Sequence, residues 1–178
     1  MKNDVGKIAI IGLGYVGLPL AVGLSKKYDV IGFDINSLRI EDLKNAKDVT
    51  NELTKTDIAC LKNIKLTFDE NDLVEANQFI VTVPTPIKRN NDPDLSYLIK
   101  ASELVSKHIK KGTHIIYEST VYPGATEEVC LPILQKNTNL EFNQDFFLGY
   151  SPERINPGDK KHKLENIVKV TSGSNDEA

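Results

Sequence analysis

Gly12, Gly14 and Gly17 stand in the run Gly12-Leu13-Gly14-Tyr15-Val16-Gly17, between an apolar stretch, Lys7 to Ile11, and a helical pattern that opens near Val16. Strand, glycine turn and helix in that order form a cradle for the pyrophosphate of a dinucleotide. Each glycine has a task there. Gly12 permits the tight bend, Gly14 lets the backbone approach the phosphates, and Gly17 lets the helix pack closely on the strand. The helix N-terminus supplies unpaired N–H groups and the positive end of its dipole, so no basic side chain is needed.

A second apolar run, Asp29-Val30-Ile31-Gly32-Phe33-Asp34, ends on a carboxylate twenty residues past Gly14. Asp34 is placed to accept hydrogen bonds from the adenosine ribose, which favours NAD over NADP. A 2′-phosphate about 4 Å from that carboxylate meets a repulsion of about 4 kcal/mol at an effective dielectric near 20. Arg39 complicates the choice, since it could offset a 2′-phosphate, lie along the adenine, or pair with Asp34 or Glu41.

Further chemistry gathers in three proline-stiffened loops rich in hydroxyls: Thr82-Val83-Pro84-Thr85-Pro86, Glu118-Ser119-Thr120-Val121-Tyr122-Pro123-Gly124, and Tyr150-Ser151-Pro152-Glu153-Arg154-Ile155-Asn156-Pro157-Gly158-Asp159. Each follows a strand signal. In an open parallel sheet, ligands bind outside the carboxyl ends of the strands, so these loops share one edge with the glycine turn. Cys60 and Cys130 have neither metal-ligand spacing nor disulfide density and read as reduced thiols, Cys130 in the core among Val129, Leu131 and Ile133. His108, His114 and His162 read as a helix C-terminal cation, a strand-start residue and a loop residue, with no metal site implied.

The elements that must position these groups alternate. Helical patterns cover Ser37 to Lys47, Asp57 to Leu61 and Asp94 to Lys110; strand signals cover Lys65 to Phe68, Gln78 to Val83, His114 to Tyr117 and Asp145 to Leu148, with a final strand at Ile167 to Thr171. Such alternation predicts an α/β fold, a Rossmann-like, doubly wound, mostly parallel sheet with helices on both faces. The 178 residues fit one domain, and 40% hydrophobic with 26% charged residues is the make-up of a folded soluble chain. A net charge of −3 with scattered lysines argues against a nucleic-acid groove. Residues 8 to 24 carry no charge, but glycines at dinucleotide-binding spacing argue against a targeting or membrane segment, so a cytoplasmic protein is expected.

Five motifs taken together, Gly12 to Pro19, Phe33 to Asn36 with Arg39, Val83 to Pro86, Ser119 to Gly124 and Ser151 to Gly158, resemble the UDP-glucose/GDP-mannose dehydrogenase family across nearly the whole chain. The resemblance implies NAD-dependent oxidation, in two hydride transfers, of the C6 alcohol of a nucleotide sugar, here a UDP-sugar by the branch considered below, to a uronic acid. It implies that Tyr15, Val16, Asp34, Arg39, Thr85 and Thr120 contact the cofactor or its edge of the site. Thr120 would hold a catalytic water, Glu153 would position water or act as a base in the hydrolytic step, and Arg154 with Ile155 would line the substrate side.

Where the UDP-glucose branch has a second glutamate four residues after the first, this chain has Pro157, a version similar to the branch acting on UDP-N-acetylhexosamines in polysaccharide or capsule precursor synthesis. The family's nucleophilic cysteine and its lysine partner lie in a later half, beyond a connecting helix through which members form homo-oligomers. Neither Cys60 nor Cys130 stands in a matching motif. The chain is therefore expected to be the N-terminal domain, 1–178, of a longer enzyme, binding NAD without turning over alone. A UDP-glucose 6-dehydrogenase, another Rossmann dehydrogenase and a non-catalytic dinucleotide sensor are the competing readings.

Overall fold

A computed structural model describes residues 5–153 and 168–178. Seven strands form one sheet in the order β3-β2-β1-β4-β5-β6-β7. The strands are β1 (Lys7–Ile11), β2 (Val30–Phe33), β3 (Ile64–Thr67), β4 (Ala76–Val81), β5 (Thr113–Tyr117), β6 (Phe146–Tyr150) and β7 (Ser172–Gly173). The first six pair in parallel, and β7 closes the edge antiparallel to β6. The order reverses at β1, which lies between β2 and β4, and a crevice opens at that switch point.

Helices α1 (Gly17–Ser25), α2 (Ser37–Lys44), α3 (Lys55–Cys60), α4 (Ser96–Ser106) and α5 (Leu131–Lys136) connect the strands. Period-two alternation sends neighbouring residues of β1 to opposite layers. Ile8 and Ile10 join Leu18, Val22, Ile40 and Leu61 in one apolar cluster, while Ala9 and Ile11 join Phe79, Leu98, Val105 and Leu134 in the other. Helices on both faces are thus present as the alternation predicts.

Local chemistry sets the helix ends. Pro19 sits in the first turn of α1, where a missing N–H loses no helical bond. Asn36 accepts from the Leu38 and Arg39 amides to cap α2, and Thr54 with Asp57 forms a reciprocal capping box on α3. The helix expected to run to Lys47 stops at Lys44 because Ala46 adopts φ +59°. Residues 8–24, uncharged in sequence, are spent on β1, the glycine turn and α1. No helix among the described residues is long and apolar enough to cross a membrane.

Two expectations need correction. The sequence pattern places the last strand at Ile167 to Thr171; Ile167 lies outside the described residues, and the pairing falls instead on Ser172 and Gly173, opposite Tyr150 and Gly149. Ser174 decides this register, because its backbone N–H donates to the Leu148 carbonyl at 2.9 Å and its hydroxyl accepts from the Leu148 amide. His108 is no helix-end cation: α4 ends at Ser106, and burial holds the imidazole below its ordinary pKa, against the pull of Glu70. His114 stacks on Phe147 with ring centroids 4.9 Å apart, and His162 lies outside the described residues.

Both cysteines are free thiols, Cys130 buried and Cys60 half-buried. Burial pushes the Cys130 thiol up in pKa, the opposite of what a nucleophile needs. It lies near the buried Tyr117 hydroxyl, which is 2.7 Å from Ser102 Oγ.

Candidate functional site

The glycine turn leaves β1 with Gly12 at φ +98°, a left-handed conformation that glycine alone adopts without strain. A methyl group at Gly17 would lie 1.9 Å from the Gly12 carbonyl oxygen and 2.3 Å from Thr82 Oγ1, so α1 packs on the turn with no room for a side chain. At Gly14 the same methyl would meet nothing within 4 Å. The open space lies at the glycine that must admit a pyrophosphate, and the filled space at the glycine that must admit a helix. No side chain caps the α1 N-terminus and no acidic residue stands in its first turn, so its positive end is left uncompensated.

Asp34 follows β2 and ties the turn down. Its Oδ2 accepts from the Leu13 amide at 2.8 Å and its Oδ1 from the Asn36 amide at 2.9 Å. Each carboxylate oxygen retains a further lone pair for a ribose hydroxyl.

On the other side of β1, hydroxyls stitch the loops together. Thr82 Oγ1 donates to the Gly12 carbonyl at 2.7 Å, Ser119 Oγ to the Val83 carbonyl at 2.7 Å, and Thr85 Oγ1 to the Thr120 carbonyl at 2.5 Å. The loops after β1, β4 and β5 are thereby fixed relative to one another before any ligand arrives.

A cleft of about 200 Å³ results, lined by Gly12, Gly14, Tyr15, Val16, Asp34, Thr85, Thr120 and Glu153, all residues that the sequence singles out. Gly17 lies beneath the turn. Arg154 and Ile155 fall outside the described residues.

Arg39 pairs with neither Asp34 nor Glu41. Its Nε donates to the Leu13 carbonyl at 3.1 Å and its Nη2 to Asp48 Oδ1 at 3.0 Å, both side chains being nearly sealed from water. Nη2 also donates to Thr50 Oγ1 at 3.3 Å, and Nη1 is buried without a partner among the described residues. Asp48 in turn accepts from Thr50 Oγ1 and from the backbone amides of Thr50, Glu52 and Leu53. Burial raises the Asp48 pKa, but these bonds and the one from Arg39 outweigh it and hold the carboxyl below its ordinary range.

Sequence reasoning names Glu118 only as the first residue of its loop and gives it no role. It is buried, lines the cleft beside Ser119, and accepts from Lys169. Its signal is a carboxylate directly after an apolar strand, in the same position as Asp34 after β2.

A family described as the UDP-glucose/GDP-mannose dehydrogenase family, NAD binding domain, matches residues 6–178. The chain is 57% identical over 171 residues to the UDP-N-acetyl-D-glucosamine 6-dehydrogenase of Pseudomonas aeruginosa, covering 96% of this chain and 40% of that protein. It is 36% identical to the UDP-N-acetyl-D-mannosamine dehydrogenase of Pyrococcus horikoshii, covering 97% of this chain and 42% of the other. The solved structure of UDP-D-ManNAc dehydrogenase from Pyrococcus horikoshii superposes with a TM-score of 0.85 at 33% identity, covering 96% of this chain and 42% of that one. The chain thus spans about two-fifths of the length of the relatives it matches.

Proposed function

Because this chain belongs to the UDP-glucose/GDP-mannose dehydrogenase family as its NAD-binding domain, we propose that it supplies the cofactor half of a longer enzyme that oxidises the C6 alcohol of a UDP-N-acetylhexosamine to the uronic acid. The observation that carries this reading is the single cleft in which the glycine turn and Asp34 meet Thr120 and Glu153. The 57% relative is named for the glucosamine sugar and the 36% relative for the mannosamine one, which favours the gluco-configured substrate.

The residues present fit NAD: open space at Gly14, an uncapped helix N-terminus and an acceptor at Asp34. When bound, NAD supplies the hydride acceptor. Oxidation from alcohol to acid removes two hydrides and takes up one water, giving a carboxylate, two NADH and three protons. The backbone of the turn and the α1 N-terminus hold the pyrophosphate, and Asp34 holds the adenosine ribose. Tyr15 and Val16 cover the turn. Thr120 and Glu153, on the opposite lip, orient the water and take its proton. By the motif resemblance Arg154 and Ile155 bind the sugar, and Arg39 steadies the adenosine end. The nucleophile, the remaining substrate contacts and any homo-oligomer interface belong to the rest of the longer enzyme, in the cytoplasm where its nucleotide-sugar substrate is made, and the chain alone binds NAD without turnover.

The test is stoichiometric. With the full-length protein, NADH formed per UDP-N-acetylglucosamine consumed is expected to be two. A ratio of one would end the acid-forming reading, and no NADH with any N-acetylhexosamine would favour a sensor that binds dinucleotide without oxidising a sugar.

A further inference from the structure

Three carboxylates line the cleft, Asp34, Glu118 and Glu153, and no lysine or arginine does among the described residues. Glu118 follows directly on β5, its backbone N–H donates to the Val81 carbonyl at the end of β4 at 2.8 Å, and its carboxylate is ion-paired with Lys169. The Glu118 side chain is 7% exposed and that of Lys169 25% exposed. Lys169 therefore brings a positive charge in from the solvent side, onto a carboxylate that would otherwise stand alone in a poorly hydrated wall.

The position of this pair along a bound dinucleotide is set by the topology. Asp34 marks the adenosine end beyond β2, and the glycine turn after β1 marks the pyrophosphate. A dinucleotide laid across the switch point then reaches the ends of β4 and β5 with its nicotinamide. The oxidised nicotinamide ring carries a positive charge that the reduced ring lacks. An uncompensated carboxylate at this place would bind the oxidised form too well and the reduced form too poorly; an uncompensated ammonium would do the reverse.

We propose that Glu118 and Lys169 form a compensated charge pair at the nicotinamide end of the cleft that sets the relative affinity for oxidised and reduced dinucleotide. This rests on the assignment of the cleft to NAD. Neither residue needs to touch the ring, since a unit charge acts across several ångströms in a partly dry cleft.

The experiment measures Kd for NAD+ by calorimetry and for NADH by its fluorescence, on full-length wild-type protein and three variants. Lys169→Met is expected to shift the affinity ratio toward NAD+ by about fivefold, and Glu118→Gln to shift it toward NADH by about as much. The double variant returns close to the wild-type ratio. A merely structural pair would weaken both forms by one factor, so an unchanged ratio, or shifts of the same sign in the two single variants, overturns the proposal. Should Glu118→Gln fail to fold, Lys169→Met against Lys169→Arg decides: the arginine restores the wild-type ratio if charge is the cause, and a ratio that tracks side-chain shape instead overturns it. Wild-type protein that binds neither form removes the NAD reading of the cleft and this proposal with it, a result distinct from binding at an unaltered ratio.

Discussion

The α-carbon of Gly17 approaches the Gly12 carbonyl so closely that a methyl group on it would lie 1.9 Å from that oxygen. The contact locks the start of α1 onto the turn that leaves β1, and it aims the helix N-terminus into the cleft. Gly14, two residues after Gly12, has open space where its methyl would be. The two glycines therefore answer to different constraints, one in the folded chain and one in the complex.

Alanine at each position separates them. Gly17→Ala forces backbone apart, and is expected to cost about 3 kcal/mol of stability as well as dinucleotide binding. Gly14→Ala is expected to leave thermal stability close to wild type, because its φ is not in the left-handed region and its methyl meets no atom, while NAD affinity falls at least about tenfold. Melting temperatures and calorimetric Kd values on both variants check this. A Gly14→Ala protein that binds NAD normally would show that the pyrophosphate does not pass over Gly14.

A second prediction concerns acid. Arg39 reaches Leu13 in the glycine turn with one nitrogen and Asp48 with another, so Asp48 braces the turn from behind. The folded Asp48 pKa lies below the ordinary value of 3.8, its burial outweighed by the hydrogen bonds it accepts. The folded state thus binds fewer protons than the unfolded one. The resulting stability is fully present above pH 3.8 and is lost as the pH falls through the lower folded value. Asp48→Asn is expected to cost about 3 kcal/mol at neutral pH, because it leaves the Arg39 charge buried without its partner. It is also expected to flatten the loss of stability between neutral and strongly acidic pH relative to wild type. Urea unfolding as a function of pH measures both. Parallel wild-type and variant curves would show that the Asp48 pKa is the same in the folded and unfolded states.

What the sequence made legible, and what it hid, divides along the same line. The glycine spacing, the carboxylate that ends the second strand and the alternation of strand and helix signals are each legible within a short stretch of chain. The Asp48 brace is not local: its geometry depends on how the loop after α2 turns back, which Ala46 and Asn51 direct through φ values of +59° and +57°. Ala46 carries no turn signal, and Asn51, a residue that tolerates this conformation, does not by itself set the path of the loop. Glu118 and Lys169 are 51 residues apart, and nothing in the composition around either points to the other. The register of β7 is hidden for a similar reason. Apolar content at Ile167 to Thr171 suggests a strand, whereas Ser174 and its bonds to Leu148 decide which residues reach the sheet edge.

The third prediction addresses the lip of the cleft opposite the glycine turn. Thr120 is carried by the loop after β5, whose position is fixed by the Ser119 bond to Val83 and the Thr85 bond to Thr120 itself. Glu153 lines the same cleft from the loop after β6. If these two residues manage the water of the hydrolytic step, their loss should spare dinucleotide binding and the early oxidation while stalling hydrolysis. In the full-length enzyme, Glu153→Gln is expected to lower kcat by about 10²–10⁴-fold with little change in NAD affinity. Rapid mixing should then show a burst of NADH and, after it, slow turnover, since hydride transfer precedes the impaired step. Thr120→Ala should show the same pattern with a smaller loss, because a hydroxyl that orients water is more easily replaced by another water than a base is. Steady turnover of Glu153→Gln at the wild-type rate would remove it from the chemistry. Slow turnover with no burst would instead place its contribution at or before hydride transfer, in substrate positioning.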